Sequence, residues 1–208
     1  MSTKVVEKNL IQLMEERTSI RQYDPSVKMT EDEVKELLDI TTKAPSAWNL
    51  QHWHFVVFHH DEAKKRLHPI AYNQSQILDS SVVIGILGDL EANKNIETVY
   101  GPLVEQGFIK EEIKETIAGQ IQGAYQNKQY ARDAAFSNAS LAAMQLMLAA
   151  KAKGYDTCAI GGFNSELFVK EFNISERYVP VMLISVGKAL KPAHKSNRLA
   201  VEDVSTWV

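Results

Sequence analysis

The sequence predicts a single globular domain, residues 1–208, in which helices are combined with short strands. The first observation is that 208 residues with 45% hydrophobic content can bury one large core without a second domain. The second is a long run, residues 134–150, that carries no charged side chain and is typical of a buried helix. The third is a pair of apolar runs, residues 81–87 and 179–186, that are typical of buried strands.

The longest predicted helix spans residues 130–154 and ends at Gly154, a residue that commonly follows the last turn of a helix. We expect it to be a core helix that can also contact a second subunit. A short strand at residues 155–160 follows it and stops at two glycines. Alanines recur every four residues along the helix and form a smooth stripe that lets another backbone approach closely; they are Ala131, Ala135, Ala139 and Ala143.

Charge and cysteine content exclude several classes of protein. The formal net charge is −3 and the charges are interspersed, which argues against a nucleic-acid partner or an anionic membrane. The single cysteine, Cys158, lies in an apolar strand and is expected to be a buried thiol. Residues 1–10 lack the pattern of a secretory signal. We therefore expect a cytoplasmic protein.

The first third of the chain carries two candidate ligand segments. A helix at residues 5–16 is followed by an extended segment, residues 17–23, whose arginines could bind a phosphate or an electron-rich ring; a solvated basic turn is the alternative. Thr30 and Glu33 form a capping box that begins a helix ending at about residue 43. The loop at residues 44–51 then offers hydroxyl and amide groups between this helix and a strand at 52–58.

Histidines cluster between His52 and His68, where five of the six in the chain are found. Alternation along the predicted strand would place His52 and His54 on one face, but no Asp, Glu or Cys has a matching spacing beside them. We therefore predict no metal site.

The rest of the chain alternates between helices and strands. Helices are predicted at residues 61–67 and 72–78, and two more lie within residues 93–127, interrupted by Gly101-Pro102 and Gly107. A short helix follows at 165–169. No G-x-G-x-x-G motif is found, so a Rossmann dinucleotide site is not expected.

Five motifs in this order resemble the FMN-dependent nitroreductase family over essentially the whole chain. They are the segments 17–23, 44–53, 133–154 and 159–163, together with Arg198. The resemblance implies an α+β fold with a central, mostly antiparallel sheet surrounded by helices, and an intertwined homodimer with two flavins at its interface. It also implies FMN as cofactor, NADH or NADPH as electron donor, and a small conjugated molecule as acceptor.

The resemblance also assigns the residues that bind FMN. Arg17 and Ser19 would hold the phosphate and ribityl chain, Arg198 would reach the phosphate, and Arg21 and Asn73 would approach the pyrimidine edge. The implied binding residues are, in chain order, Arg17, Thr18, Ser19, Arg21, Pro45, Ser46, Ala47, Asn49, Asn73, Ile160, Gly161, Gly162 and Arg198.

The flavin would carry the chemistry, so no catalytic side chain is predicted. The backbone N–H of Gly161 would meet flavin N5, while residues 45–49 would lie against the flavin of the other subunit. The implied reaction is a ping-pong hydride transfer from NAD(P)H to nitroaromatics, quinones or similar acceptors.

Two positions depart from the family pattern. Gly161 stands where many relatives carry an acidic residue, and Ser196 stands where a lysine is common, so Lys195 is a candidate substitute for that lysine. Other reactions of the same fold stay open, including dehalogenation and flavin fragmentation. A flavin-binding or helical interaction protein without turnover is the alternative from a different class.

Overall fold

The structure, a computed structural model, describes residues 9–208. The part of the predicted first helix at residues 5–8 lies outside the described residues. The strands are β1 Trp53–Phe58, β2 Val82–Asp89, β3 Asp156–Ile160 and β4 Tyr178–Gly187. The helices are α1 Leu10–Glu16, α2 Glu31–Thr41, α3 Asp61–Ile70, α4 Gln76–Asp79, α5 Ile96–Glu105, α6 Glu111–Tyr125, α7 Lys128–Ala152 and α8 Ser165–Glu171.

The four strands form one antiparallel sheet in the order β1-β2-β4-β3. All four were predicted from the sequence, two of them from their apolar runs. A single parallel bridge joins Ser19 to Thr157 at the outer edge of β3. The predicted α+β fold with a mostly antiparallel sheet is therefore confirmed.

One part of the core lies between the sheet and α7, and another lies between the opposite face of the sheet and helices α3 and α8. Every residue of β2 is buried, as expected for a central strand covered on both faces. Helix α7 crosses β2 so closely that a Cβ atom added at Gly88 would lie 2.8 Å from the carbonyl oxygen of Ala135. The alanine stripe of α7 thus admits another backbone, as predicted, and that backbone is strand β2 of the same chain.

Within one chain, α7 is buried on one side and exposed on the other. All four alanines of the stripe are buried, whereas Leu141 and Met144 on the other side are 48% and 39% exposed. The alanine stripe is therefore an intramolecular contact, and the unpartnered apolar surface of α7 is the face with Leu141 and Met144. Within the described residues, no helix has the length and apolar character needed to cross a membrane.

Two local predictions are corrected by the backbone. Tyr72 and Asn73 have φ angles of +54° and +55°, so they form a left-handed turn, and the helix predicted from residue 72 begins at Gln76. Pro102 lies inside α5 and does not interrupt it, while Gly107, with φ of +74°, follows its end. The prediction of two helices within residues 93–127 is confirmed.

Candidate active site

The predicted extended segment at residues 17–23 lies along the free edge of β3. The backbone N–H of Ile20 donates a hydrogen bond of 3.0 Å to the carbonyl oxygen of Thr157, next to the parallel bridge at Ser19. Because the pairing is parallel, the chain from Ser19 to Arg21 runs in the same direction as β3. Arg21 is therefore carried toward the Ile160 end of the strand, where the paired glycines follow.

Three of the predicted binding residues act on the buried thiol of Cys158. Burial raises the pKa of Cys158, while Arg21, a hydrogen bond from Ser19 and Arg17 all act to lower it. Electrostatic effects of this kind act over short distances. Arg17, Ser19 and Arg21 therefore each lie within electrostatic reach of the Cys158 thiol on β3.

A cavity of about 710 Å³ lies between this segment and the carboxyl-terminal tail. Arg17 and Thr18 line one side, and Lys195 and Arg198 line the other, with Glu15 as the one carboxylate among the lining residues. Two guanidinium groups and an ammonium group around one cavity suit an anion such as a phosphate. Lys195 thus lies where a substitute for the missing family lysine was expected.

Gln74, the residue after Asn73, contacts the paired glycines beyond the end of β3. The side-chain amide of Gln74 donates a hydrogen bond of 2.8 Å to the carbonyl oxygen of Gly162, which fixes the left-handed turn at Asn73 beside the end of β3. Ile160 is buried, whereas Gly161 and Gly162 are exposed.

The protein itself leaves open space at both glycines. A Cβ atom added at Gly161 would meet nothing within 4 Å, and one added at Gly162 would meet only Gln74, at 3.8 Å. Neither glycine has a φ angle in the left-handed region. The backbone conformation therefore does not require glycine at either position, and the open space leaves room for a ligand to lie against the backbone.

The loop that contains Pro45, Ser46, Ala47 and Asn49 is held in an unusual conformation. Trp48, Asn49 and Gln51 have φ angles of +51°, +53° and +54°, a region that non-glycine residues adopt at a cost. Such conformations persist where the surroundings enforce them, and they are frequent at functional sites.

Three hydrogen bonds enforce the conformation of this loop. The Ser46 hydroxyl accepts one of 2.9 Å from the Gln51 N–H, and the Asn138 side chain on α7 accepts one of 2.8 Å from the Ala47 N–H. The Tyr100 hydroxyl on α5 donates one of 2.8 Å to the Trp48 carbonyl oxygen. The loop is thus fixed to α5 and α7 before any ligand arrives.

The predicted site residues therefore form two groups within one chain. The first group surrounds β3 and the tail cavity; it contains Arg17, Thr18, Ser19, Arg21, Asn73, Ile160, Gly161, Gly162 and Arg198. The second group is the loop with Pro45, Ser46, Ala47 and Asn49. In the described part of the chain, no hydrogen bond joins the two groups.

Sequence reasoning missed the positioning roles of Asn138, Tyr100 and Gln74, of which only Asn138 lies within one of the five motifs. Asn138 carried a usable signal, because it is the one polar residue among the buried residues of α7. A polar residue that is buried in an apolar helix needs a hydrogen-bond partner. No comparable local signal marks Tyr100 or Gln74.

Comparison with known proteins decides the family. The sequence profile of the Nitroreductase family matches residues 14–188. The chain belongs to the nitroreductase family. It is 65% identical to YodC, a provisionally named NAD(P)H nitroreductase of Bacillus subtilis (strain 168). The match spans 200 residues and covers 96% of this chain and 99% of YodC.

Two further members of the nitroreductase family bear on the fold and on the chemistry. A provisionally named nitroreductase from Exiguobacterium sibiricum 255-15, solved in complex with FMN, superposes with a TM-score of 0.91 at 38% identity, over 99% of this chain and 100% of that one. The CLA biosynthesis enone reductase of Lactiplantibacillus plantarum is 35% identical over 91% of this chain and 90% of its own. The predictions of the family and of an oxidoreductase are confirmed.

Proposed function

We propose that this protein is an FMN-dependent oxidoreductase that takes a hydride from NADH or NADPH and passes it to small conjugated acceptors such as nitroaromatics and quinones. The observation that carries the proposal is the cavity in which Arg17, from the amino-terminal segment, faces Lys195 and Arg198 of the tail. In a nitroreductase-family chain, this group of cations is suited to the FMN phosphate. Relatives named as NAD(P)H nitroreductases support the choice of electron donor.

The residues of the first group fit the parts of FMN in order along β3. Arg17, Lys195 and Arg198 would bind the phosphate at one end, and Ser19 would bind the ribityl chain. At the other end, the open space at Gly161 and Gly162 accommodates a flat ring against the backbone. Bound FMN supplies a ring system that accepts a hydride and gives it up again.

Positive charge near the ring would favour its reduction. Arg21 lies on the segment that leads toward Gly161, and Asn73 offers an amide from the turn beside Gly162. A guanidinium group stabilises a neighbouring anion, so it would make uptake of a hydride more favourable. With the reaction centred on the cofactor, this chain contributes binding, orientation and the backbone N–H of Gly161.

We further propose that the protein works as a homodimer and that the chain forms one nitroreductase-like domain. The second group of site residues, on the loop at residues 45–49, is separate from the first group in one chain but would complete the site of a partner. Large apolar side chains are exposed on α1, on α7 and along the tail, and include Leu10, Ile11, Met14, Leu141, Met144, Leu199, Val201, Val204 and Trp207. Such a surface is more typical of an interface than of a monomer.

Use of NAD(P)H also favours the predicted cytoplasmic location.

A second acceptor class is favoured by one relative. The CLA biosynthesis enone reductase covers nearly the whole chain at 35% identity. An enone, like a quinone, is a conjugated carbonyl compound; it takes a hydride at its β-carbon and a proton at its α-carbon. We therefore include α,β-unsaturated carbonyl compounds among the candidate acceptors.

An anaerobic titration tests the function. Protein reconstituted with FMN should be yellow and should bleach when NADH or NADPH is added in stoichiometric amounts. Colour should return when a nitroaromatic, a quinone or an enone is then added, and steady-state rates at several fixed acceptor concentrations should give the parallel double-reciprocal lines of a ping-pong cycle.

The other outcomes separate the alternatives. Protein that stays colourless with added FMN would contradict the proposal and favour a helical interaction protein. Yellow protein that NAD(P)H does not bleach would favour a flavin-binding protein or a relative with a different reaction.

A further inference from the structure

Two histidines and a glutamate meet at a point where three elements converge. His59 and His60 follow the end of β1 and precede α3, while Glu31 is the first residue of α2. One ring nitrogen of each histidine and one carboxylate oxygen of Glu31 lie within 4.8 Å of one another. None of these residues belongs to either group of the candidate active site.

The hydrogen bond of His59 determines which of its nitrogens is free. The Nε2 atom lies 2.7 Å from the carbonyl oxygen of Met29. A carbonyl oxygen can only accept, so Nε2 carries the proton and Nδ1 of the neutral ring keeps its lone pair. Nδ1 is buried and has no hydrogen-bond partner among the described residues. A backbone carbonyl behind one nitrogen and a free lone pair on the other is the arrangement usual for metal-binding histidines.

We propose that Glu31, His59 and His60 form a binding site for a divalent first-row transition metal, with zinc as the expected ion. Two imidazoles and a carboxylate suit zinc and its neighbours in the transition series better than magnesium or calcium, which prefer oxygen ligands. Water would complete the coordination, since His60 and Glu31 are exposed.

The geometry needs only a small adjustment. Bonds of about 2.0–2.1 Å to a tetrahedral ion place neighbouring ligand atoms about 3.4 Å apart. The observed separations of up to 4.8 Å can shorten by rotation of the exposed side chains of Glu31 and His60. Glu31 can move, because its ion pair with Lys35 is long, at 3.8 Å, and lies in solvent.

Some of the surrounding charges oppose the binding of a cation and others favour it. The amino-terminal ends of α2 and α3 disfavour a cation, because the helix dipole is positive there. Acidic residues in the first turn of each helix offset this effect; they are Glu31, Asp32 and Glu33 in α2, and Asp61 and Glu62 in α3. Asp61 forms an ion pair with Lys64, with 3.0 Å between Oδ1 and Nζ, so it is not expected to be a ligand.

Zinc titration of the tag-free, FMN-loaded protein tests the site. Calorimetry should detect one zinc ion per protomer, and Zn K-edge absorption should detect nitrogen ligands at about 2.0–2.1 Å. His60→Ala and Glu31→Gln should each weaken zinc binding at least about tenfold. Both side chains are exposed, so the flavin spectrum and the melting temperature without zinc should match those of the wild type.

His68→Ala is the matched control, because His68 lies on α3 but outside the cluster. It should bind zinc as the wild type does. Absence of a zinc-binding event in the wild type at millimolar zinc would overturn the proposal. So would wild-type affinity in both His60→Ala and Glu31→Gln, since zinc would then be bound elsewhere.

Discussion

The side chain of Asn138 on α7 accepts a hydrogen bond of 2.8 Å from the backbone N–H of Ala47. The same amide donates a hydrogen bond of 2.7 Å to the carbonyl oxygen of Ala134, so both ends of the side chain are occupied. This pair links the helix at the centre of the core to the loop that is proposed to complete the partner's flavin site. The conformation of the loop therefore depends on a residue that would not itself touch FMN.

Asn138→Leu should weaken both the fold and the cofactor site. The substitution leaves the Ala47 N–H without a partner, which costs about 1–3 kcal/mol of unfolding free energy. Loss of the anchor should also lower FMN affinity, because the loop contains three left-handed residues that need external support. Urea unfolding and FMN titration measure the two effects. Thr116→Ala, which removes an exposed hydroxyl on α6 outside both groups of site residues, is the control and should change neither.

The strands and most of the helices could be predicted because their signals are local. An apolar run such as β2 indicates a buried strand wherever it pairs, and the Thr30–Glu33 capping box fixes the start of α2. The site residues close to β3 could be predicted because their motifs occur along the chain in the order that the family shows. Gly161 and Gly162 follow a strand whose end is visible in the sequence alone.

The errors concern which distant residues meet. The alanine stripe of α7 suits a close approach by any backbone, so its sequence could not distinguish β2 of the same chain from a second subunit. The left-handed turn at Tyr72 and Asn73 depends on a hydrogen bond from Gln74 to Gly162, far along the chain. Likewise, the histidine spacing could not place Glu31 beside His59 and His60, because Glu31 comes from another element.

Arg17→Ala should lower the affinity for FMN by about ten- to a hundred-fold. A charge-assisted hydrogen bond to a phosphate contributes about 1.5–3 kcal/mol, and Arg17 lines the tail cavity with Lys195 and Arg198. Fluorescence titration of the apoprotein with FMN measures the change. Arg132→Ala, which removes an exposed arginine on α7 outside that cavity, is the control. Wild-type affinity in Arg17→Ala would contradict the assignment of the phosphate site.

Leu141→Asp should convert the proposed dimer into a folded monomer. Leu141 is 48% exposed in one chain, so a charge there opposes association with little effect on the internal core. Sedimentation velocity measures the mass, and far-UV circular dichroism confirms the fold. Leu167→Asp, on α8 and 51% exposed, should leave the mass unchanged. Ala139→Glu is unsuitable, because Ala139 is buried within the chain and its substitution would unfold the protomer.

His52 should make stability depend on pH between about 4 and 6.5. Burial lowers the pKa of His52 from 6.5 to about 4, with Asp89 acting in the opposite direction. The unfolded chain therefore binds a proton that the folded chain rejects, so this contribution is complete above pH 6.5 and is lost as the pH falls. Between pH 7 and pH 5 the loss is about 2 kcal/mol per protomer. Urea unfolding at constant protein concentration should give a shallower pH dependence for His52→Leu; identical slopes would contradict this origin.

The paired glycines give the sharpest test of where the flavin ring lies. A Cβ atom at Gly161 or Gly162 meets open space or one flexible amide, and neither backbone is left-handed, so the protein alone should tolerate Gly161→Glu and Gly162→Val. In apoprotein, both variants should melt as the wild type does, within about 0.5 kcal/mol of unfolding free energy. With FMN they should differ, because only the N–H of residue 161 is proposed to be used, whereas a branched side chain at residue 162 would project against the ring. Gly161→Glu should therefore keep most of the bound FMN and the NAD(P)H oxidation rate, and Gly162→Val should lose both. Wild-type FMN content and a wild-type rate in Gly162→Val would place the ring elsewhere.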